Sequence, residues 1–397
     1  MIRAVGVQCV SLTLAVSWLW CPLSASAAPV PGQSTASSTT QAQPKAPKPP
    51  KPKKPPKPPW PPDPRKWDIE FHYAQGFGST SAGGSGELPT PGASFTTGAG
   101  TESRLVPSWY FGDGAKLFND VLASLGRAEA IVPFDAAITT HAVDQILEEG
   151  FGVRVTRKLT PIMSLEIDAT SARATYSLRE ATKDSLQATS ESFPSAFAGL
   201  VASGQGVAFT GATLGSTFDW RDGTGVDLVS TVSLVLHPKK DSRFRPYVVV
   251  GGGVATSFGE AQATLTGHYV LHVPSGATID ESDTVTIHFG GGTGLAAVVG
   301  GGINFRLTRG SGIRLDARGL MLENHVGTRI DADPRAVQSN PAQAIWSATT
   351  PGIQFVSHPS TGLQSSLDTS ALSGFTTLHP SGFYTRFNVT VGYFWRF

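Results

Sequence analysis

Charged side chains recur two residues apart along several β-rich segments of this 397-residue chain. Of all its side chains, these are the most capable of chemistry. Asp68 and Glu70 form one such pair, and Arg314, Asp316 and Arg318 repeat the spacing in another segment. Because side chains two apart on a strand point to the same side, each set faces one side and apolar residues face the other. Gathered in one space, such groups can form ion pairs or line an aqueous path. The full set is Asp68, Glu70, Arg154, Glu166, Asp168, Arg306, Arg314, Asp316, Arg318, Arg386 and Arg396.

Eight segments of alternating polarity position these charges. Forty-four glycines and three methionines favour strands and turns over long helices. An even number of strands suits a closed barrel. We therefore predict an all-β fold, a closed antiparallel up-and-down transmembrane β-barrel of eight strands, although a strand-like patch at 209–220 leaves ten strands open. The predicted strands are 67–73, 147–156, 163–170, 226–237, 246–258, 295–306, 313–318 and 383–397.

The links between these strands alternate sharply in length. Three are tight, at 160–161, 238–243 and 308–312, whereas the other four span roughly 30 to 70 residues, against about 4–6 in ordinary connections. This alternation is typical of outer-membrane barrels, with short periplasmic turns and long extracellular loops. Within the loops we predict short helices at 115–125 and 195–203, and a hairpin around 274–282 that continues strands five and six beyond the membrane.

The C-terminal segment adds a second, independent signal. Its octet places a polar residue at Thr390, Gly392 two positions later, and aromatic residues that alternate to the terminus, among them Trp395 and Phe397. The octet resembles the C-terminal assembly signal of bacterial outer-membrane β-barrels. From residue 66 to 397 the chain resembles the OmpA-like or Opa-like family of eight-stranded outer-membrane barrels. The resemblance implies a structural or surface-interaction protein that is inserted by the outer-membrane assembly machinery. The expected departure from OmpA is that no peptidoglycan-binding domain is predicted to follow the barrel.

Two segments precede the predicted barrel. Residues 1–27 combine Arg3, an apolar run and Ala25-Ser26-Ala27, the pattern of a cleaved secretory signal peptide, whose removal would take both cysteines of the chain with it. Residues 28–65 are predicted to be a disordered periplasmic tail. Twelve prolines between 44 and 64 favour a polyproline II spacer. Its lysines leave open a second interpretation, docking on an anionic surface such as lipopolysaccharide or peptidoglycan.

The inward charges admit three functions. Eight strands enclose a space just wide enough for side chains, so we predict a lumen plugged by ion pairs and a structural or surface-interaction role. The alternative is a small porin or transport channel lined by the same residues. A hydrolase at the barrel rim is less favoured, because the histidines are scattered, no spacing singles one out with a partner serine or aspartate, and EF-hand and G-x-S-x-G motifs are missing.

The sequence accordingly predicts a non-enzymatic protein of a Gram-negative outer membrane, without catalytic, cofactor-binding or metal-binding residues. The expected partners are outer-membrane lipid, lipopolysaccharide, the assembly machinery and periplasmic chaperones. No nucleic-acid partner is predicted.

Overall fold

A computed structural model describes residues 64–78, 94–96, 102–139, 141–203, 209–238, 242–272, 274, 278–339, 353, 355, 366–372, 376–378 and 382–397. The predicted signal peptide and nearly all of the predicted tail lie outside these residues. Within them, no helix has both the length and the apolar character to cross a membrane. The helices are α1 Gly112–Ser124, α2 Asp135–Thr139 and α3 Glu180–Ala202. The strands are β1 Trp67–Gly78, β2 Ser94–Thr96, β3 Glu102–Arg104, β4 Val143–Lys158, β5 Met163–Leu178, β6 Gly211–Arg221, β7 Gly223–Leu236, β8 Phe244–His272, β9 Thr278–Arg306, β10 Ser311–Glu323, β11 Gly327–Ala332, β12 Arg335–Ser339, β13 Thr376–Leu378 and β14 Phe383–Arg396.

Eight of these strands close into a ring of antiparallel neighbours. The order is β1, β4, β5, β7, β8, β9, β10, β14 and back to β1. The seam pairs the last strand with the first, and Trp67 and Phe397 exchange two backbone hydrogen bonds of 3.0 and 3.1 Å. All eight predicted strands lie in the ring, so the closed eight-stranded barrel is confirmed.

The strands of the ring bury one set of alternate side chains and expose the other. On β14 the pattern is perfectly alternating over the whole strand. The exposed positions are large and apolar, such as Phe151 at 67 %, Val299 at 63 % and Leu315 at 53 % exposure. A contiguous apolar exterior of this kind is stable in lipid, whereas in water it would be a large unfavourable surface. The ring is therefore a transmembrane barrel.

The two ends of the barrel differ. At one end, which we call the short-turn end, tight links join β4 to β5, β7 to β8 and β9 to β10, where the sequence predicts them. At the other, the loop end, β8 and β9 continue as a hairpin of 29 residues per strand. The predicted extension of strands five and six is thus confirmed. Strand β6 runs alongside β8 in line with β7 but beyond the ring, so the patch at 209–220 adds no barrel strand.

The extended strands carry a folded layer at the loop end, which we call the cap. Its core is aromatic: ring centroids lie 4.5 Å apart for Phe118 of α1 and Phe197 of α3, and 4.4 Å apart for Phe197 and Tyr269 of β8. The predicted helix at 115–125 corresponds to α1. Helix α3 is much longer than the predicted 195–203. The prediction missed its first half because the buried side there includes Thr182 and Thr189, which interrupt the apolar periodicity expected of an amphipathic helix.

Candidate functional site

Arg154 is the centre of a charge cluster that fills the lumen. Its side chain is fully buried, and its guanidinium lies within 2.7–3.4 Å of four carboxylates. These carboxylates come from three other strands: Glu70 on β1, Glu166 and Asp168 on β5, and Asp316 on β10. The strand register explains the convergence, because Arg154 pairs directly with Glu70 on one side and with Asp168 on the other.

Two further arginines of β10 complete this cluster. Arg314 donates to Glu166 at 2.7 Å and to the hydroxyl of Tyr247 on β8 at 2.7 Å. Arg318 donates to Glu166 at 2.7 Å and to Asp316 at 2.8 Å. We call the set of seven charged residues the central network: Glu70, Arg154, Glu166, Asp168, Arg314, Asp316 and Arg318.

The central network joins opposite walls of the barrel. Its members come from β1, β4, β5 and β10, and it reaches β8 through Tyr247 and β14 through Thr390, whose hydroxyl donates to Asp316. At this level, side chains from six of the eight strands fill the cross-section of the barrel and are joined by hydrogen bonds. Gly392 on β14 supplies the room, because a Cβ atom there would lie 2.3 Å from Glu70 Oε1.

The remaining lumen charges predicted from the sequence lie outside the central network. At the short-turn end Arg396 clamps Asp68 with two hydrogen bonds of 2.6 and 2.7 Å, and Arg306 is buried at the last position of β9. Towards the loop end Arg386 lies 2.6 Å from Asp227. Ten of the eleven predicted side chains are buried, and Asp68 is partly exposed.

Beyond the central network, towards the loop end, the lumen changes character. An apolar layer there includes Val229, Val298 and Leu320. Between this layer and the network lies a cavity of about 20 Å³, room for about one water molecule. The buried Asn388 lines it and its Oδ1 atom has no hydrogen-bond partner, so the cavity presents a polar acceptor to a water of that size.

A second polar cluster, which the sequence did not predict, lies above the apolar layer. Ser257 Oγ is 2.7 Å from Nε2 of His325 and 2.8 Å from Oδ1 of Asp227. The three residues are separated by 30 and 68 positions in the chain, so no local motif joins them. The one available signal was the inward position of Asp227 in an alternating strand.

This serine, histidine and aspartate do not have the geometry of a hydrolytic triad. In such a triad the carboxylate orients the imidazole through Nδ1, whereas here Asp227 contacts the serine, and His325 Nδ1 lies 3.0 Å from the backbone oxygen of Glu323. Ser257 is also only 2 % exposed. Among the described residues, no group of three or more His, Cys, Asp or Glu side chains is arranged to hold a metal ion.

The residues of the predicted assembly signal occupy both faces of β14. Thr390 and Gly392 face the lumen, where they contact Asp316 and Glu70 as described above. Trp395 and Phe397 face outwards and are 47 % and 57 % exposed. Trp395 packs edge-on against Phe71 of β1 at 6.0 Å, which places an aromatic cluster at the short-turn end.

Ring closure, apolar exterior and filled lumen together define a transmembrane β-barrel. No protein-family model matches the chain, and no curated protein sequence does. The chain is similar to the outer membrane protein OprG from Pseudomonas aeruginosa, with 10 % identity, 83 % of this chain and 95 % of that chain covered, and a TM-score of 0.35. The translocator domain of the autotransporter NalP from Neisseria meningitidis aligns at 9 % identity over 84 % and 88 % of the two chains, with a TM-score of 0.17. The toluene transporter TbuX from Ralstonia pickettii aligns at 10 % identity over 84 % and 89 %, with a TM-score of 0.17.

Proposed function

We propose that this protein is an outer-membrane β-barrel of a Gram-negative bacterium that presents a folded cap at the cell surface and does not conduct solutes. The short-turn end would face the periplasm and the cap would face outwards, the arrangement usual for barrels with one set of short links. Membership of the OmpA-like or Opa-like family, a cleaved signal peptide and a role of the Pro/Lys-rich tail in contacting peptidoglycan or another anionic surface are parts of this proposal.

The observation that carries the proposal is closure of the lumen by the central network. The central network spans the barrel with direct contacts between guanidinium and carboxylate groups of 2.7–3.4 Å. Buried charges are stable when they are paired and hydrogen-bonded, so this arrangement excludes a continuous column of water. Towards the loop end the aromatic core of the cap lies on the β8–β9 hairpin, where Tyr269 is fully buried.

The test is single-channel recording of the purified, folded protein in planar bilayers. A sealed lumen predicts a current indistinguishable from that of the empty bilayer, while a known porin reconstituted in the same way gives discrete steps. Heat-modifiable migration on gels confirms beforehand that the sample contains a closed barrel. Reproducible conductance steps from the folded protein would overturn the proposal and favour the porin alternative.

Orientation and location are tested separately. The proposal predicts recovery with the outer membrane after cell fractionation, and proteolytic cleavage within the cap when protease is added to intact cells. A soluble periplasmic protein, or a cap that is cleaved only after the outer membrane is opened, would contradict it. The proposed role of the cap is binding to a cell-surface partner, which requires neither conductance nor catalysis. The proposed surroundings of the barrel are lipopolysaccharide and outer-membrane lipid.

A further inference from the structure

The short-turn end of the barrel carries a strong excess of positive charge. It comprises the described residues of 64–68, 157–164, 236–246, 306–312 and 396–397, which form the three tight links and the seam between the last strand and the first. Nine of their side chains are cationic and one, Asp68, is acidic and clamped by Arg396. By sequence alone, the part of the β7–β8 link outside the described residues adds two lysines and one aspartate. We call the nine cationic side chains the cationic rim: Arg65, Lys66, Arg157, Lys158, Arg243, Arg245, Arg306, Arg309 and Arg396.

The loop end of the barrel wall differs from this rim in its charge. Its charged residues include Glu148 and Glu149 on β4, Arg173 on β5 and Glu323 on β10, so acidic and basic side chains are mixed there. A ring of charge of one sign at one end of a transmembrane barrel is complementary to an anionic surface that lies level with that end.

Exposed members of the rim lie next to aromatic side chains of the outer wall. The guanidinium of Arg157 stacks on Trp67 at 5.3 Å, and that of Arg243 stacks on Phe305 at 5.0 Å. Phe305 in turn packs against Phe244 of the neighbouring strand at 4.8 Å. Aromatic side chains on the outside of a membrane protein sit at the level of the lipid headgroups. Two arginines from different links are therefore held at the depth of the lipid phosphates.

Three arginines of the rim have hydrogen-bond donors available to a ligand. Arg157, Arg243 and Arg309 are exposed, and within the described part of the chain no carboxylate lies at ion-pair distance from any of them. A guanidinium presents its donors in a planar fork that matches two oxygens of a phosphate group. Beside Arg157, the backbone oxygen of Lys66 accepts from the backbone N–H of Lys158 at 2.8 Å, which places two further cations at the same point of the rim.

We propose that the cationic rim binds the phosphate groups of anionic phospholipids in the leaflet that the short-turn end faces. The aromatic side chains set the depth of the barrel in the bilayer, and the guanidinium groups of Arg157, Arg243 and Arg309 contact the headgroups. A lipid headgroup is the occupant, because the two arginine–aromatic pairs lie on the wall of the barrel that contacts lipid. In the orientation proposed above this leaflet is the periplasmic one. The inference requires only that the barrel crosses a bilayer, so it holds whether or not the lumen conducts.

The test measures lipid selectivity at the surface of the full mature protein in phosphatidylcholine bilayers. Electron paramagnetic resonance of spin-labelled phosphatidylglycerol and spin-labelled phosphatidylcholine gives the relative association constant of the two lipids with the protein. We expect phosphatidylglycerol to associate at least about threefold more strongly at low ionic strength. The ratio should fall to nearly one in about 1 M salt, where the Debye length is about 3 Å. A ratio near one at low ionic strength, or a ratio that salt does not change, would overturn the proposal.

Two matched variants locate the selectivity on the barrel. The rim variant removes three exposed cations of the short-turn end through Arg157→Gln, Arg243→Gln and Arg309→Gln. The control variant removes three exposed arginines of the loop end and cap through Arg173→Gln, Arg179→Gln and Arg221→Gln. The rim variant should lower the association ratio by at least about twofold, and the control should leave it unchanged. The Pro/Lys-rich tail is identical in both variants. Equal ratios in the two variants would show that the rim is not the docking surface.

A wall polymer is the competing occupant, and cosedimentation with isolated peptidoglycan sacculi distinguishes it from lipid. If the rim variant lost binding to sacculi and kept the lipid selectivity of the unmodified protein, the partner would be the polymer and the proposal would be wrong. Migration of unboiled samples on gels checks that both variants form closed barrels. Should the rim variant not fold, the salt dependence of lipid selectivity in the unmodified protein still decides the proposal.

Discussion

Replacing Arg154 with methionine gives the sharpest test of the sealed lumen. The change keeps an unbranched side chain as far as the position of Nε but removes the rest of the guanidinium group, with its charge and its hydrogen-bond donors. In the central network three guanidinium groups face four carboxylates, and the substitution leaves two against four. Each carboxylate retains at least one guanidinium partner: Glu70 stays close to Arg314 at 3.3 Å and Asp168 to Arg318 at 3.1 Å. Glu166 and Asp316 each keep both of these arginines.

The expected loss follows from the cost of uncompensated buried charge. Removing one partner of a buried ion pair costs about 3–5 kcal/mol, and we expect a decrease of this size in the free energy of unfolding. The assay is reversible urea unfolding in phospholipid or detergent, with the folded fraction read from the band shift of unboiled samples. Arg157→Met is the matched control on the same strand, because Arg157 is exposed and stacks on Trp67 at 5.3 Å; it should cost less than about 1 kcal/mol.

A charge-balanced variant separates electrostatics from packing. Adding Glu70→Gln and Asp168→Asn to Arg154→Met leaves two guanidinium groups against two carboxylates and should recover at least half of the lost stability. If Arg154→Met destabilised the barrel no more than Arg157→Met does, the lumen charges would be hydrated and the sealed lumen would be refuted. If the balanced variant recovered nothing, lost packing rather than unpaired charge would be the cause.

Three further predictions concern the exterior, the cap and the terminus. Leu315→Arg places a charge on the lipid-facing side and should lower the stability of the folded barrel by about 2–4 kcal/mol near the midplane, whereas Leu315→Met should be neutral in the same urea assay. Burial raises the pKa of Asp283 in the cap to about 7, so the folded state binds its proton more tightly than the unfolded state does. Cap stability should therefore fall by up to roughly 4 kcal/mol as the pH rises from about 4 to about 7, and protease resistance that is equally pH-dependent in Asp283→Asn would contradict this assignment. Deleting Phe397 should slow insertion in cells more than refolding into detergent, and equal effects in the two assays would reduce its role to anchoring at the membrane interface.

The barrel could be predicted because the pattern that specifies each strand lies within a few consecutive residues. Alternating polar and apolar residues identify the two faces of a strand within a few positions. In β10, for example, Leu315 faces outwards and is 53 % exposed, whereas Arg314 and Asp316 on either side of it are buried in the lumen. Tight links and an even strand count then leave few ways to close the ring. The same alternation placed the lumen charges on one side of each strand.

The cap and the cluster of Asp227, Ser257 and His325 were not predictable in the same way. In α3 the buried stripe mixes Thr182 and Thr189 with Phe193 and Phe197, so its first half lacks the apolar period of an amphipathic helix. The polar cluster lies next to a β-bulge that follows Ser257, and its members are distant in the chain. Which carboxylate meets which guanidinium in the lumen likewise depends on side-chain reach across the barrel, which strand alternation does not encode.

The terminal strand β14 combines two requirements in one short sequence: the predicted signal for assembly and the packing of the central network. Thr390 and Gly392 match the predicted assembly signal, but each is also needed inside the barrel, where the threonine donates to Asp316 and the glycine admits Glu70. A substitution at either position therefore disturbs the central network whether or not assembly reads the residue. Trp395 and Phe397 face lipid and have no contact with the network, so only these two positions separate recognition during assembly from the stability of the finished lumen.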